Sequence, residues 1–364
     1  MERTIYFKGL NGIRAIASLI VVIWHTDQFS RLFNLSEIGF HTNGMDGNAV
    51  DMFFVLSGFL ITYLLLVEKE KTKSIHLKNF YFRRILRIWP LYYLSVIISV
   101  ILIYLGIVPK LSHLTSSIFL YTFLMANVAY LLNLAISSIM PLWSVGVEEQ
   151  FYLIWPHIVK RTSKYLTVFI ALFLLFLIIK LSIYLLLTPK SILFKFLSIT
   201  RIDIMSLGAI GAYLVYSKNR ILKILYRKDI QIISWFILIT SIIYKPIHLF
   251  SFIDNELNAM LYLILILNVS SNKFSLISLE NRFMNFIGKI SYGIYVYHMI
   301  IIYLISFALS SLEYEIDHFM LYPIVLIFTI LTATLSYRYF ETPFLRLKNK
   351  YAIVKSTNSK HNTM

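Results

Sequence analysis

Apolar residues occur along this chain in long uninterrupted runs, and most polar residues collect in short segments between them. Eleven such runs lie at about residues 12–29, 50–67, 90–107, 116–134, 142–159, 165–187, 201–217, 229–246, 257–270, 291–310 and 319–338. Most of them approach the roughly 20 residues that a helix needs to cross a hydrocarbon core of about 30 Å. Because backbone polar groups in lipid must be satisfied within the segment, the pattern predicts an all-α fold, a polytopic transmembrane helix bundle.

The fourth run, residues 116–134, is the short one. Its most apolar part holds about 15 residues, or roughly 22 Å of helix. If this run does not cross the membrane, 27 of the 34 Lys and Arg residues fall on one side, as the positive-inside rule requires of the cytoplasmic side. We therefore expect about ten spans with the N- and C-termini cytoplasmic, and one extra non-spanning element that is re-entrant or interfacial on the outer side.

The chain divides into one membrane domain, residues 1–345, and a polar cytoplasmic tail, residues 346–364, which is expected to be disordered towards its end. No linker or soluble domain interrupts the apolar runs.

Composition excludes a water-soluble protein, since 58% of the residues are hydrophobic, 14% are charged and the mean hydropathy is +0.73. Membrane lipid is the expected surrounding. The net charge of +16 does not predict a nucleic-acid partner, because Lys and Arg crowd into a few loops as orientation signals do. The absence of cysteine excludes a disulfide framework, a thiol nucleophile and Cys-ligated metal. Chemistry must come from His, carboxylates and hydroxyls.

The first run carries Arg14 and His25, with ten residues between them. Eleven helical steps amount to about three full turns, so both side chains project from one face, about 16 Å apart along the axis. Arg14 is expected near the cytoplasmic end and His25 in the outer half, facing the bundle interior. The alternative is a snorkelling arginine and a hydrogen-bonded structural histidine.

Three arginines, Arg83, Arg84 and Arg87, occupy two helical turns just before Pro90. Arginine forks match phosphate groups, so the cluster predicts a phosphate-binding patch. The alternative is that these charges only orient the neighbouring span.

Carboxylates supply further candidate catalytic groups. Glu148 and Glu149 are adjacent in PLWSVGVEEQFYLIWP, residues 141–156, so at least one should point into the bundle. A buried carboxylate can orient a histidine or raise its basicity. Asp51 begins the second run, where it is either catalytic or a marker of the point at which the chain enters the membrane.

Other polar residues in the apolar runs are expected to contact and orient the catalytic groups without themselves touching the substrate. Arg201 and Asp203 fit a structural pair better than a catalytic one. His298 lies among tyrosines in KISYGIYVYHMII, where packing and catalytic support are equally compatible with the sequence. The complete set of supporting candidates is Trp143, Ser144, Tyr152, His298, Arg201 and Asp203.

Taken together, these motifs resemble acyltransferase family 3, the bacterial membrane O-acyltransferases of surface polysaccharides. The Arg14–His25 spacing, DMFFVLSGF, RRILRIWP, LWSVGVEEQFYLIWP, RIDIMSLG, SYGIYVYH and FETPF occur in the family's order. The resemblance extends from Gly9 to Phe344. Val145-Gly146 and Thr342 depart from the commoner residues, and neither departure removes an ionisable group.

The resemblance implies an enzyme of the bacterial inner membrane that transfers an acyl group, usually acetyl, from cytoplasmic acyl-CoA to a hydroxyl of a cell-surface or lipid-linked glycan. His25 is then a general base or a transient acyl carrier, and the three arginines hold the CoA phosphates. Acetyl-CoA is a donor substrate, with neither a metal nor a permanently bound cofactor required. O-antigen, capsule, exopolysaccharide and peptidoglycan remain open as acceptors, as does the oligomeric state.

A transporter or flippase is the alternative, because such proteins also place charged residues at mid-membrane. Transporters commonly show repeat symmetry between their halves, and the sequence shows no strong internal repeat. The residues therefore favour the enzyme.

Overall fold

The computed structural model describes residues 5–39, 45–187, 191–243 and 252–354, and within these ranges regular structure is helical throughout. The α-helices are α1 (Leu10–Gln28), α2 (Met45–Thr72), α3 (Leu77–Tyr104), α4 (Leu114–Thr122), α5 (Ala126–Leu131), α6 (Trp143–Arg161), α7 (Tyr165–Leu186), α8 (Ile192–Thr200), α9 (Ile202–Tyr216), α10 (Ile221–Leu225), α11 (Lys228–Ile243), α12 (Asp254–Ser271), α13 (Arg282–Ser311), α14 (His318–Leu335) and α15 (Thr342–Asn349). The predicted all-α fold is confirmed for the described residues.

Five helical segments among these residues are long and apolar enough to cross a membrane. They lie at Ala49–Thr72, Leu77–Tyr104, Tyr165–Leu186, Arg282–Ser311 and His318–Asn349. These segments support a multi-pass membrane protein. The count of ten spans and the cytoplasmic location of both termini remain predictions.

The fourth apolar run, residues 116–134, is divided between α4 and α5. Leu124 lies between them in the left-handed conformation, with φ 59°, so the helix cannot continue. The nine residues of α4 amount to about 14 Å, too short to cross. The hydroxyls of Tyr92 and Tyr93 on α3 donate to the carbonyls of Tyr121 and Thr122 at 3.0 and 2.9 Å. Protein groups therefore satisfy this helix end, as a non-spanning element requires.

Helix α1 is surrounded by other helices, and it packs against α2, α12, α13 and α14. Glu280, just before α13, fixes the start of α1. Its carboxylate accepts hydrogen bonds from the Tyr6 hydroxyl and from the Gly9 backbone N–H, the latter at 2.6 Å. Burial of this carboxylate opposes ionisation, yet these two hydrogen bonds, a third from Asn285 and the charge of Lys8 together outweigh burial and hold the pKa of Glu280 below its usual value. The functional face of α1 is thereby anchored to α13.

Helices α2 and α9 touch through their backbones. A Cβ atom at Gly58 would lie 2.0 Å from the Met205 carbonyl oxygen, and one at Gly208 would lie 2.2 Å from the Val55 carbonyl oxygen. Only glycine fits at this distance, which is the usual basis of close helix approach in membranes. The contact holds the middle of α2 in place. Ser57, which belongs to the candidate site described below, lies there.

Helix α14 continues through a π-helix, Ser336–Glu341, into α15. Residues 346–349, predicted to begin the polar tail, are therefore helical. The ring of Tyr351 stacks on Phe82 of α3, with ring centres 5.0 Å apart. The boundary at residue 345 remains a prediction, and the polar segment 355–364 lies outside the described residues.

Substitution Gly208→Ala should lower the melting temperature of the detergent-purified protein. The new methyl group overlaps the Val55 carbonyl, and such overpacking costs about 1–3 kcal/mol. Ile97→Ala is the control, because Ile97 is 57% exposed on the outside of α3 and should tolerate truncation. Equal melting temperatures for Gly208→Ala and the wild type would contradict the backbone contact.

The predicted orientation is tested by truncated reporter fusions. Fusions after Ile75 and Leu222 should report cytoplasm, and a fusion after Tyr314 should report the outer side, because the basic loops flank the first two positions. An outer-side signal after Leu222 would mean that residues 116–134 cross the membrane.

Candidate functional site

Two histidines meet between α1 and α13. His25 Nδ1 lies 3.0 Å from the Val21 carbonyl oxygen and 3.2 Å from His298 Nε2. Both rings are buried, with 7% of His25 and none of His298 exposed. The Trp24 ring packs edge-on against His25, with ring centres 4.7 Å apart. Since a carbonyl can only accept, His25 carries its proton on Nδ1 and presents a lone pair on Nε2.

The predicted catalytic carboxylates do not orient His25. Across the described ranges, neither Glu148, Glu149 nor Asp51 forms a hydrogen bond with His25 or His298. His298 occupies the position beside His25 Nδ1 in which a carboxylate could orient the ring. A neutral imidazole therefore stands in this place.

Glu148 and Glu149 both point into the bundle but towards different helices. Glu148 accepts hydrogen bonds from the Ser57 hydroxyl at 2.6 Å and the Tyr152 hydroxyl at 3.0 Å. Glu149 accepts one from the Trp89 indole N–H at 2.8 Å. The adjacent pair thus ties α6 to α2 and α3. Tyr152, one of the predicted supporting residues, contacts Glu148 rather than a histidine.

Arg14, eleven residues before His25 on α1, lies within electrostatic reach of Arg84, Arg87 and Glu148. Lys348 of α15 lies within reach of the same three arginines. We call Arg14, Arg84, Arg87 and Lys348 the cation cluster. In the part of the chain that the structure describes, none of the four forms an ion pair or a hydrogen bond. Four like charges thus converge without a bonded counter-charge.

Arg84 is held in the cation cluster by aromatic faces. Its guanidinium lies 5.5 Å from the centre of the Tyr152 ring and 5.8 Å from that of Phe80. Cation–π contacts of this kind fix the direction of a guanidinium without consuming its hydrogen-bond donors. Its fork therefore remains available to a ligand.

Arg83 is separated in role from Arg84 and Arg87. It pairs with Glu68 at 3.0 Å and donates to the Tyr351 carbonyl at 2.8 Å. Glu68, 1% exposed, also accepts from the His76 backbone N–H at 2.9 Å. Arg83 thus joins the α2–α3 turn to the segment after α15, whereas Arg84 and Arg87 lie near Arg14 and Lys348. The phosphate-binding role predicted for the three arginines stays a prediction.

Two further supporting candidates lie at the start of α6. The Ser144 hydroxyl is 2.7 Å from that of Tyr295, whose ring centre is 5.9 Å from the His298 ring. Trp143 stacks on Tyr130 with ring centres 5.8 Å apart. The Tyr295 side chain thus lies between Ser144 and the histidine pair, and Trp143 is the residue next to Ser144 in the chain.

Arg201 and Asp203 do not pair with each other. Arg201 Nε lies 3.1 Å from Asp51 Oδ1, in an ion pair that joins α9 to α2. Asp203 accepts from its neighbour's backbone N–H and lies beside Glu256 of α12. Glu256 pairs with Lys180 of α7 at 2.6 Å. Asp51 therefore holds a structural ion pair, and Glu256, together with its pairing to Lys180, was missed by the sequence analysis.

The Asp51–Arg201 pair predicts a specific stability pattern. Asp51→Asn should lower stability by about 3–5 kcal/mol because it leaves a buried arginine without its counter-charge, and the double change with Arg201→Gln should cost less. Thermal unfolding of purified protein measures both. Arg227→Gln, at an exposed pair with Asp229, is the control and should cost less than about 1 kcal/mol. Full stability of Asp51→Asn with loss of activity would contradict a structural role of the pair and support the predicted catalytic role of Asp51.

Comparison with known proteins identifies the family. Residues 7–338 match acyltransferase family 3, described as "Acyltransferase domain". Peptidoglycan O-acetyltransferase OatA of Listeria monocytogenes is 30% identical over 365 residues, covering 93% of this chain and 56% of the relative. O-acetyltransferase OatA of Staphylococcus aureus is 29% identical over 367 residues, covering 93% of this chain and 57% of the relative.

The chain spans somewhat more than half the length of these curated relatives. No solved structure shows significant similarity to it. The family match covers the histidine pair and all of the cation cluster except Lys348. The sequence-based prediction of a membrane O-acyltransferase is confirmed at the level of the family: the chain belongs to acyltransferase family 3.

Proposed function

We propose that this protein transfers an acyl group, acetyl in the first instance, from cytoplasmic acyl-CoA to a hydroxyl of a cell-surface glycan. One observation carries the proposal. Helix α1 bears both Arg14, within the cation cluster, and His25, with a free Nε2 lone pair, and eleven residues place them about 16 Å apart. An anion site and a base site therefore share one helix.

The cation cluster suits the phosphate end of acyl-CoA. Positive charges held together in a low-dielectric interior repel one another, and a bound polyanion reverses that repulsion. Arginine forks match phosphate oxygens bidentately, whereas Lys348 adds a point charge. Glu148 lies within reach of Arg14 without forming an ion pair with it. The arginine donors thus stay available for the donor substrate.

The reactive end of acyl-CoA is a thioester on a long flexible arm, which can extend along α1 from the cation cluster towards His25. As general base, His25 Nε2 takes the proton of the acceptor hydroxyl while its oxygen attacks the thioester carbonyl. The C–S bond breaks, and the thiolate leaves as CoA-SH after taking that proton. As acyl carrier, the same Nε2 would attack the carbonyl first. Both routes need the Nε2 lone pair.

A glycan acceptor is supported by the names of the relatives, both O-acetyltransferases, one of them named for peptidoglycan. N-acetylglucosamine oligomers are therefore the first acceptor to test. Release of CoA-SH can be followed with a thiol reagent, because the chain contains no cysteine that would react in the background.

Substitution His25→Ala should reduce acetyl transfer from radiolabelled acetyl-CoA to these oligomers by at least about 100-fold, since it removes the base or acyl carrier. His157→Ala is the matched control, because His157 bonds to the Tyr81 hydroxyl at 3.0 Å, away from the pair. Full activity of His25→Ala at normal membrane abundance would reassign His25 to structure.

Changes in the cation cluster should act on donor binding. Arg87→Gln and Lys348→Gln should each raise the KM for acetyl-CoA by about 10-fold or more, because a charge-assisted contact contributes about 1.5–3 kcal/mol. Arg83→Gln should chiefly lower the melting temperature, because Arg83 is engaged with Glu68. Steady-state kinetics and thermal unfolding separate the two effects. An unchanged KM in both cluster variants would remove the donor site from this position.

A further inference from the structure

The proposed chemistry leaves the second buried histidine without a task. His298 is fully buried on α13, and its Nε2 faces Nδ1 of His25 at 3.2 Å. A buried imidazole is a costly way to join two helices when apolar residues would pack as well. The position of His298 beside the His25 ring therefore points to a role in the reaction.

The hydrogen-bond geometry fixes which ring donates. His25 Nδ1 faces two atoms, the Val21 carbonyl oxygen at 3.0 Å and His298 Nε2. If His298 Nε2 donated, His25 Nδ1 would be a lone pair directed at a carbonyl oxygen, which is repulsive. With the proton on His25 Nδ1, both neighbours act as acceptors. His298 then carries its own proton on Nδ1, a buried atom without a hydrogen-bond partner among the described residues, and its Nε2 is a lone pair.

We propose that His298 is a positioning residue for acyl transfer. It accepts a hydrogen bond from His25 Nδ1–H. Together with the Val21 carbonyl it thereby keeps the lone pair of His25 on Nε2, and it stabilises the imidazolium that forms there. This inference rests on the proposed function, and it gives His298 the part that a carboxylate plays in other histidine-based catalytic pairs.

The proton balance of the step is complete with these two rings. The acceptor hydroxyl gives its proton to His25 Nε2, so His25 becomes positively charged while its Nδ1 proton stays between the rings. The neutral lone pair of His298 faces that charge. The Nε2 proton then passes to the departing thiolate to give CoA-SH, and the pair returns to its starting state.

A neutral partner suits this location. An ionised carboxylate in a membrane interior carries a large desolvation cost in every state of the enzyme, whereas a neutral imidazole carries only the smaller cost of a buried polar group until the reaction charges the pair. The groups around the two rings include the Trp24 and Tyr295 rings, the Val21 carbonyl and the backbone of Ile294 and Tyr295. Over residues 5–354, excluding the undescribed stretches, no carboxylate is hydrogen-bonded to either histidine.

Substitutions at His298 separate positioning from packing. In His298→Gln, the amide oxygen can take the place of Nε2 as acceptor, so kcat should stay within about 5-fold of the wild type. In His298→Leu, the volume is kept but the acceptor is lost, and kcat should fall by about 100-fold. The KM for acetyl-CoA should stay unchanged in both, because the cation cluster lies at the other end of α1. His157→Leu is the matched control and should leave kcat unchanged.

A second measurement does not depend on turnover. Diethyl pyrocarbonate reacts with an unprotonated imidazole nitrogen, and peptide mass spectrometry reports the rate at His25. That rate should be kept in His298→Gln and fall by about 3-fold or more in His298→Leu, where only the Val21 carbonyl is left to hold the proton of His25 on Nδ1. Should the leucine variant not accumulate in the membrane, His298→Asn replaces it, since its shorter amide cannot reach Nδ1.

The outcomes are distinct. Rescue by glutamine and loss with leucine, at equal melting temperatures, support positioning. A leucine variant as active and as reactive as the wild type overturns it, and so does a folded glutamine variant as inactive as leucine. A wild type that transfers no acetyl group refutes the proposed function instead, while the reactivity of His25 still tests the histidine pair.

Discussion

Charge in a membrane interior must be matched, because hydrocarbon offers no water to solvate it. The described bundle obeys this constraint at Arg201 with Asp51, at Lys180 with Glu256 and at Arg83 with Glu68. These pairs join α9 to α2, α7 to α12 and α3 to α2. Among the described residues, the members of the cation cluster form no ion pairs, and three carboxylates lie only within electrostatic reach of its arginines: Glu148, Glu149 and Glu341. That difference separates side chains that are paired across helices from side chains that we propose to bind the donor substrate.

The sequence predicts the helical architecture well because the apolar runs are themselves the physical requirement for helices in lipid. The sequence also predicts that the fourth run is too short to cross, because the number of residues sets the length of a helix. It predicts that Arg14 and His25 lie on one face of one helix, because their spacing sets the directions of their side chains. Each of these predictions depends on neighbours along the chain. None needs to know which helix packs against which.

The sequence predicts contacts between different helices less well, because these contacts depend on which helices pack together. Arg201 and Asp203 are two residues apart, and side chains at that spacing point in different directions from a helix, so Arg201 turns to Asp51 of α2. Helical periodicity places Arg83 on the same face as Arg87, yet Arg83 forms an ion pair with Glu68 across the turn between α2 and α3. His298 became the partner of His25 only through the packing of α13 on α1.

Lys348 makes the cation cluster depend on the first and the last of the described helices. Arg14 belongs to α1, whereas Lys348 belongs to α15, which follows the π-helix that ends at Glu341. Until α15 has been synthesised and packed against α3, the cation cluster lacks its fourth charge. The donor binding that we propose for this cluster therefore requires helices from distant parts of the chain to be assembled first.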